Sequence, residues 1–467
     1  MPQKKAAVNP EKAISFFPTS LLLLGLLLLG GSFVYFQSSL QAFTPPETLF
    51  IRSCSLLAIS LLHWVVLLDP LTKIFPFFKS LYPTRKFAEA LLLIFASLHG
   101  LSSLFHFHGG GNTPALLSLF ISNTQYGSVT QFPFQVLGFL GLFLLWTMGG
   151  IRLCAFVKKQ NLSAEKYLHR LIQVVYGIIL LHIALGVLQY DTHPFYWTGL
   201  IGGAALVGAC YLMAYFLPKP ITFLPALEQW IIRLGIVGVF IGLPFMSYGI
   251  VYWQKPFTAH VYEKEYERTF EGFYFDYPEP LIQLDFGYYD PSLDPEALLV
   301  GPEKHGIQNT IQATKSKWGF LNGRKVRIKG KLLYGDRKQM IELSAAENAI
   351  EVILNSSYPV TQTRPKTKVL QGEIISSKCW FGFMNPAEGK AHKSCAIRCI
   401  ESGIPPLLRI QKDGRNNYYI LQDKQDNLPA SLRADVVAVP VEITGETFYQ
   451  NGWNVLRYQQ DDIRILN

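Results

Sequence analysis

The chain has 467 residues, a formal net charge of +9 and a mean hydropathy of +0.21, with only 16% of residues charged. That average hides two halves: residues 14–253 are mostly long apolar runs, and residues 254–467 have the charge, Gly, Pro and Asn content of a soluble protein. Much of the positive charge flanks the apolar runs, where Lys and Arg act as topology signals, so the basic balance is no argument for nucleic acid and no such partner is expected.

The basic start MPQKKAAVNPEKA leads into an apolar run, Ile14 to Phe36, that is longer than a signal-peptide core and lacks an evident small-residue cleavage site. It is predicted to be a retained span. Six more runs near the ~20 residues that a bilayer core requires follow, at 50–71, 87–107, 134–156, 167–188, 196–217 and 230–253. Lys4, Lys5 and Lys12 precede the first span. Lys73, Lys79, Arg85 and Lys86 lie between the second and third, and Arg152, Lys158, Lys159 and Lys166 between the fourth and fifth. The alternate loops 37–49, 108–133 and 189–195 contain no Lys or Arg. The positive-inside rule then puts the N-terminus in the cytoplasm, and seven spans put the C-terminal half outside.

Ionisable residues inside apolar spans are costly and usually functional. His99 interrupts the third span, FAEALLLIFASLHGLSSLF, and His169 and His182 share the fifth, KYLHRLIQVVYGIILLHIALG. Neutral imidazole is a common axial ligand of haem iron. His99 lies 14 residues after Arg85, and His182 lies 16 after Lys166. At 1.5 Å per residue both stand about 21–24 Å from the inner edge, level enough to bridge one haem in the outer half. His169 is 13 residues below His182, about 19.5 Å lower and turned by roughly 140°. It marks the level of a second, inner haem, for which His63 on the second span is the candidate partner. His106 and His108 fall at the outer mouth, where solvation is expected, and His193 falls in an external turn.

The third and fifth spans resemble the ferric reductase-like transmembrane family: TRKFAEALLLIFASLHGL has the basic start and mid-helix His, and the fifth span has the LHR-x12-H pattern. Within that family, about residues 45–190 look most like the haem-binding membrane subunits of periplasmic methionine sulfoxide reductase systems. The resemblance implies that His99, His169 and His182 ligate haem b, and that electrons pass from a quinol or flavin donor to an acceptor across the membrane. Ferric reductases and NADPH oxidases carry a flavin and nicotinamide module after the spans. Here PFT at 256–258 is a fragment of a flavin motif without its Arg-x-Tyr-Ser continuation, and no Gly-rich nucleotide signature follows, so an NADPH oxidase is rejected.

The soluble half reads as β-rich. Alternating runs such as GRKVRIKGKLLYGDRKQMIEL and ADVVAVPVEITGETFYQNGWNVLRY, set around Gly-containing turns, predict two OB-like barrels. The expected division is 1–253 for the helical domain, 254–315 for a linker and the start of the external region, 316–365 for the first β module and 366–467 for the second, which holds the Cys cluster. The acidic stretch YEKEYERTFEGFYFDYPEP is expected to form a solvated face or loop. Cys54, Cys154 and Cys210 fall in apolar runs and are expected to pack as small hydrophobes. Cys379, Cys395 and Cys399 join His392 within 21 residues. Two readings stand for them: a disulfide with one thiol left over, or a metal or redox centre held by three Cys and one His.

The expected fold class is thus a polytopic helical bundle followed by a β-rich domain. The expected function is a b-type haem protein of the bacterial cytoplasmic membrane. It passes electrons from quinol or another donor to its external domain or to a periplasmic or extracellular acceptor protein. The alternatives are a non-redox membrane anchor for an external β domain and a metal (ferric) reductase.

Overall fold

A computed structural model describes residues 10–157, 165–186, 193–345, 349–354, 358–424 and 432–466. Lys4, Lys5, Lys158 and Lys159, which helped set the expected orientation, lie outside the described residues, as do the side chains of Lys12 and Lys166.

The first half is helical: α1 (Pro10–Leu40), α2 (Pro46–Ile74), α3 (Thr84–His108), a short α4 (Ala115–Ile121), α5 (Phe134–Val157), α6 (Glu165–Leu185), α7 (Pro194–Phe216) and α8 (Pro225–Tyr252). Proline opens α2, α7 and α8 at the first turn, where its missing N–H costs no hydrogen bond. Seven of these helices, all but α4, are long and apolar enough to cross a membrane. Their outward faces carry Leu27, Ile201, Tyr215 and Phe245 with most of the side chain uncovered. Continuous apolar surface of this kind suits acyl chains rather than water. Inside the bundle, Leu61, Leu62 and Val65 of α2 pack with Leu92 of α3, Met148 of α5, Ile172 and Val175 of α6 and Val207 of α7. Cys54 and Cys210 are buried as expected, and Cys154 is exposed.

The chain divides into two compact units, 1–103 with 133–256, and 104–132 with 257–467. The second unit holds two closed five-stranded barrels. In the first, β1 (Val261–Phe275), β2 (Leu281–Leu284), β3 (Glu296–Val300), β4 (Lys325–Gly335) and β5 (Lys338–Leu343) run in the order β1-β2-β3-β5-β4, and β4 closes on β1. β6 (Ile350–Leu354) extends β4, β3 pairs parallel with β5, and α9 (Gln308–Trp318) fills the connection from β3 to β4. The second barrel repeats the order. β7 (Lys366–Ser376), β8 (Pro406–Lys412), β9 (Arg415–Asp423), β11 (Trp453–Tyr458) and β10 (Pro440–Gln450) form its ring, β10 closing on β7, and β12 (Ile463–Ile465) extends β10. This is OB-like topology, as the sequence suggested. The connection from β7 to β8 carries α10 (Gly389–Glu401) and all three clustered cysteines.

The first barrel begins at Val261, inside the 254–315 stretch expected to hold a linker and the start of the external region. The acidic stretch expected to be a face or loop is its first strand, paired with β4 and β2. The N-terminal part of β1 is exposed, and only Phe270, Tyr274 and Phe275 turn fully inward. Charge on the exposed part of this strand masks the alternation that would mark it.

Candidate functional site

His99 and His182 are each tied to a backbone carbonyl of another helix. Nδ1 of His99 lies 3.1 Å from the carbonyl oxygen of Ile51 on α2, and Nδ1 of His182 lies 2.9 Å from that of Phe134 at the start of α5. A carbonyl oxygen only accepts, so each Nδ1 carries the hydrogen, and in the neutral ring each Nε2 keeps its lone pair. Neither Nε2 has a hydrogen-bond partner among the described residues. The two imidazoles are close enough to interact electrostatically. Gly138 makes room for one of them: a Cβ there would stand 2.8 Å from Cε1 of His182. The Phe134 ring lies against the same imidazole, with centroids 5.4 Å apart.

The other candidates on the spans are engaged elsewhere. Nδ1 of His63 meets the carbonyl oxygen of Ile59 at 2.9 Å, and its Nε2 meets the Tyr176 hydroxyl at 3.1 Å. Both ring nitrogens of His63 therefore have partners. His169 pairs with Asp69, and its Nδ1 lies 3.2 Å from the Arg85 guanidinium. Arg85 in turn binds Asp69 at 2.5 Å and Glu89 at 3.1 Å, and Glu89 also holds Arg152. The two guanidinium and two carboxylate charges cancel, which is how such groups survive in an apolar bundle. Sequence reasoning passed over Asp69 and Glu89; the signal was an acid inside each of the apolar runs LLDPL and FAEALLL. His108, expected at a solvated mouth, is buried, with Nδ1 3.1 Å from the Ser118 hydroxyl on α4.

The second constellation lies wholly in the second unit. Cys379 follows β7 in a tight turn, and Cys395 and Cys399 are one helical turn apart on α10. The three sulfurs lie within 4.8 Å of one another, with Cys379 3.9 Å from Cys395 and 3.4 Å from Cys399. All three are fully buried and none is in a disulfide. The turn depends on Gly382, whose φ is +116° and whose missing Cβ would strike the backbone of Val261 at 2.7 Å. Sδ of Met384 is 3.0 Å from Sγ of Cys395. His392 is also fully buried, and neither ring nitrogen has a hydrogen-bond partner among the described residues. It is not one of the three groups in mutual reach.

Two buried lysines flank the sulfurs. Nζ of Lys304 donates to the carbonyl oxygens of Phe107 at 2.9 Å and His106 at 3.3 Å, and to the Cys395 sulfur. Nζ of Lys378 pairs with Glu342 at 2.5 Å and donates to the carbonyl oxygen of Gly301 at 2.7 Å. Burial drives the Cys379 thiol well above its ordinary range. Burial acts the same way on Cys395, but hydrogen bonds from Cys379 and Cys399 and the Lys304 ammonium outweigh it and hold that thiol well below its ordinary range. Cys395 is therefore the sulfur that carries charge most readily.

No family model matches the chain, and neither the curated proteins nor the solved structures compared with it include a match.

Proposed function

We propose that this chain is a b-type haem protein of the bacterial cytoplasmic membrane, of the ferric reductase-like kind, moving electrons from a quinol donor toward the outer face. The carrying observation is the matched pair His99 and His182, each with Nδ1 anchored on a backbone carbonyl and Nε2 available. That is the arrangement an axial histidine needs, because the second-sphere hydrogen bond fixes the tautomer, orients the ring and raises ligand basicity. The groove at Gly138 that admits the His182 ring fits the same purpose. A haem iron held there supplies one-electron chemistry between its ferric and ferrous states. The chain's own part is to hold the iron in a dry, apolar span and set its potential through ligand basicity and burial.

One haem accounts for the available histidines, since His169 is held by Asp69 and Arg85 and His63 by Tyr176. Residues 104–132, the end of α3 and the connection from it through α4 toward α5, belong to the same compact unit as the barrels. That common fold supports the reading in which connection and barrels share a side of the bilayer, with an odd number of spans and an external C-terminal half. The acceptor is that half or a protein docked on it.

An absorbance spectrum of the purified, dithionite-reduced protein tests the reading. A b-type α-band is expected, lost in His99→Ala and in His182→Ala and retained in His63→Ala. A colourless protein would favour a non-redox membrane anchor for the barrels.

A further inference from the structure

We propose that Cys379, Cys395 and Cys399 together hold one divalent thiophilic cation, zinc being the one in ordinary supply, in the core shared by the two barrels. The site is separate from the intramembrane histidines and does not rest on the haem reading. Two thiolates on one tetrahedral zinc, each at about 2.3 Å, stand about 3.8 Å apart. The observed 3.4 Å and 3.9 Å, with all three sulfurs within 4.8 Å, bracket that spacing. Three sulfurs converging on one point is not the arrangement of a bonded pair with a stray third. An iron–sulfur cluster fits less well, because the three cysteines would be divided between at least two irons and their sulfurs would not all converge on one point.

Charge selects the valence. Three thiolates bring three negative charges into a fully buried site. Lys304 supplies one positive charge at Cys395, and the charge of Lys378 is spent on Glu342. Two negative charges remain, and a divalent cation brings the centre to neutrality. A monovalent ion would leave a buried net charge, which is costly at low dielectric.

The fourth position calls for a neutral donor: one stands beside the sulfurs, and a second lies one helical turn from Cys395, outside their mutual reach. The Met384 thioether lies 3.0 Å from Sγ of Cys395. His392 precedes Cys395 by three residues on the same helix, fully buried with both nitrogens unpartnered among the described residues. Buried imidazole nitrogens without partners are rare enough to need a reason, and a cation at the neighbouring sulfurs supplies one. A centre with every position filled by protein and no exposure is structural rather than catalytic. Its task is to fasten α10 to the turn after β7. In OB-like barrels this first connection is one of the loops that shape the binding surface.

The test uses full-length protein in detergent, from zinc-supplemented cells and without chelator. Elemental mass spectrometry is expected to give one zinc per chain. Stepwise capping of thiols with a mercurial is expected to release that zinc to a chromogenic chelator as three thiols react, and zinc X-ray absorption to show three or four sulfur neighbours. His99→Ala is expected to keep its full zinc content, and Cys395→Ser and Cys399→Ser to lose at least nine-tenths of it. If those variants do not fold, the release experiment on the native chain still decides. Metal-free protein with a mapped disulfide between any two of the three cysteines overturns the proposal. So does copper(I) or an iron–sulfur cluster in place of zinc.

Discussion

Each imidazole offers two nitrogens, and fixing one to a carbonyl dedicates the other to a different task. His99 and His182 are both fixed in this way, from α2 and α5 respectively. Gly138 is part of that arrangement, so Gly138→Val is expected to lower the haem-to-protein ratio by more than half. Gly150→Ala on the same helix, with nothing within 4 Å of the new Cβ, is expected to leave the ratio unchanged. Equal ratios in the two variants would detach Gly138 from the site. The buried Lys378–Glu342 pair makes a second single-residue test. Lys378→Met strands a buried carboxylate and is expected to cost about 3–5 kcal/mol of barrel stability. Pairing it with Glu342→Leu is expected to recover most of that loss in thermal denaturation.

At the scale of elements, the spans were legible because twenty apolar residues in a row have few other uses, and most expected boundaries fall within a few residues of the helices. The β-rich, OB-like character was legible from alternation in β4, β5, β10 and β11; the strand order was not. Nor was β1, because Lys264, Glu265, Glu267 and Arg268 decorate an exposed stretch of strand whose closure onto β4 is a non-local pairing. The ion-pair network of Asp69, Arg85, Glu89 and Arg152 was missed for a related reason: its members lie on three different helices. Sequence proximity, by contrast, exposed the cysteine cluster at once. The β4–β5 turn also reaches the second barrel. Asp336, in a left-handed conformation, accepts from the Tyr418 hydroxyl on β9 and lies 3.3 Å from Nε2 of His260. These contacts, led by His260, hold its carboxyl far below the usual carboxylate range. A depressed pKa contributes stability above the unfolded value of about 4, lost as pH falls toward the folded one. Asp336→Asn is therefore expected to destabilise by about 1 kcal/mol near pH 7, a modest figure because the group is half-exposed. The gap from wild type is expected to stay constant down to pH ~5 and shrink below pH ~4. Denaturant titrations at several pH values would read it, and a gap that widens in acid would contradict the assignment.

The ligands proposed for the two compact units differ in kind: nitrogen in the apolar bundle, and soft sulfur in the closed β core. Their independence can be read directly. Chelation strong enough to strip the sulfur site is expected to lower the melting temperature of the soluble half and to leave the haem spectrum unchanged. A spectrum that bleaches in step with metal loss would show that the two centres are one system. The central claim is that imidazoles from two neighbouring helices hold a single iron porphyrin. A redox titration of full-length protein from haem-replete cells, with the haem-to-protein ratio measured on the same sample, tests it most directly. One haem per chain with one one-electron midpoint, both absent in His182→Ala, is the predicted result. Protein that comes out without haem, or with two haems and two midpoints, would contradict it.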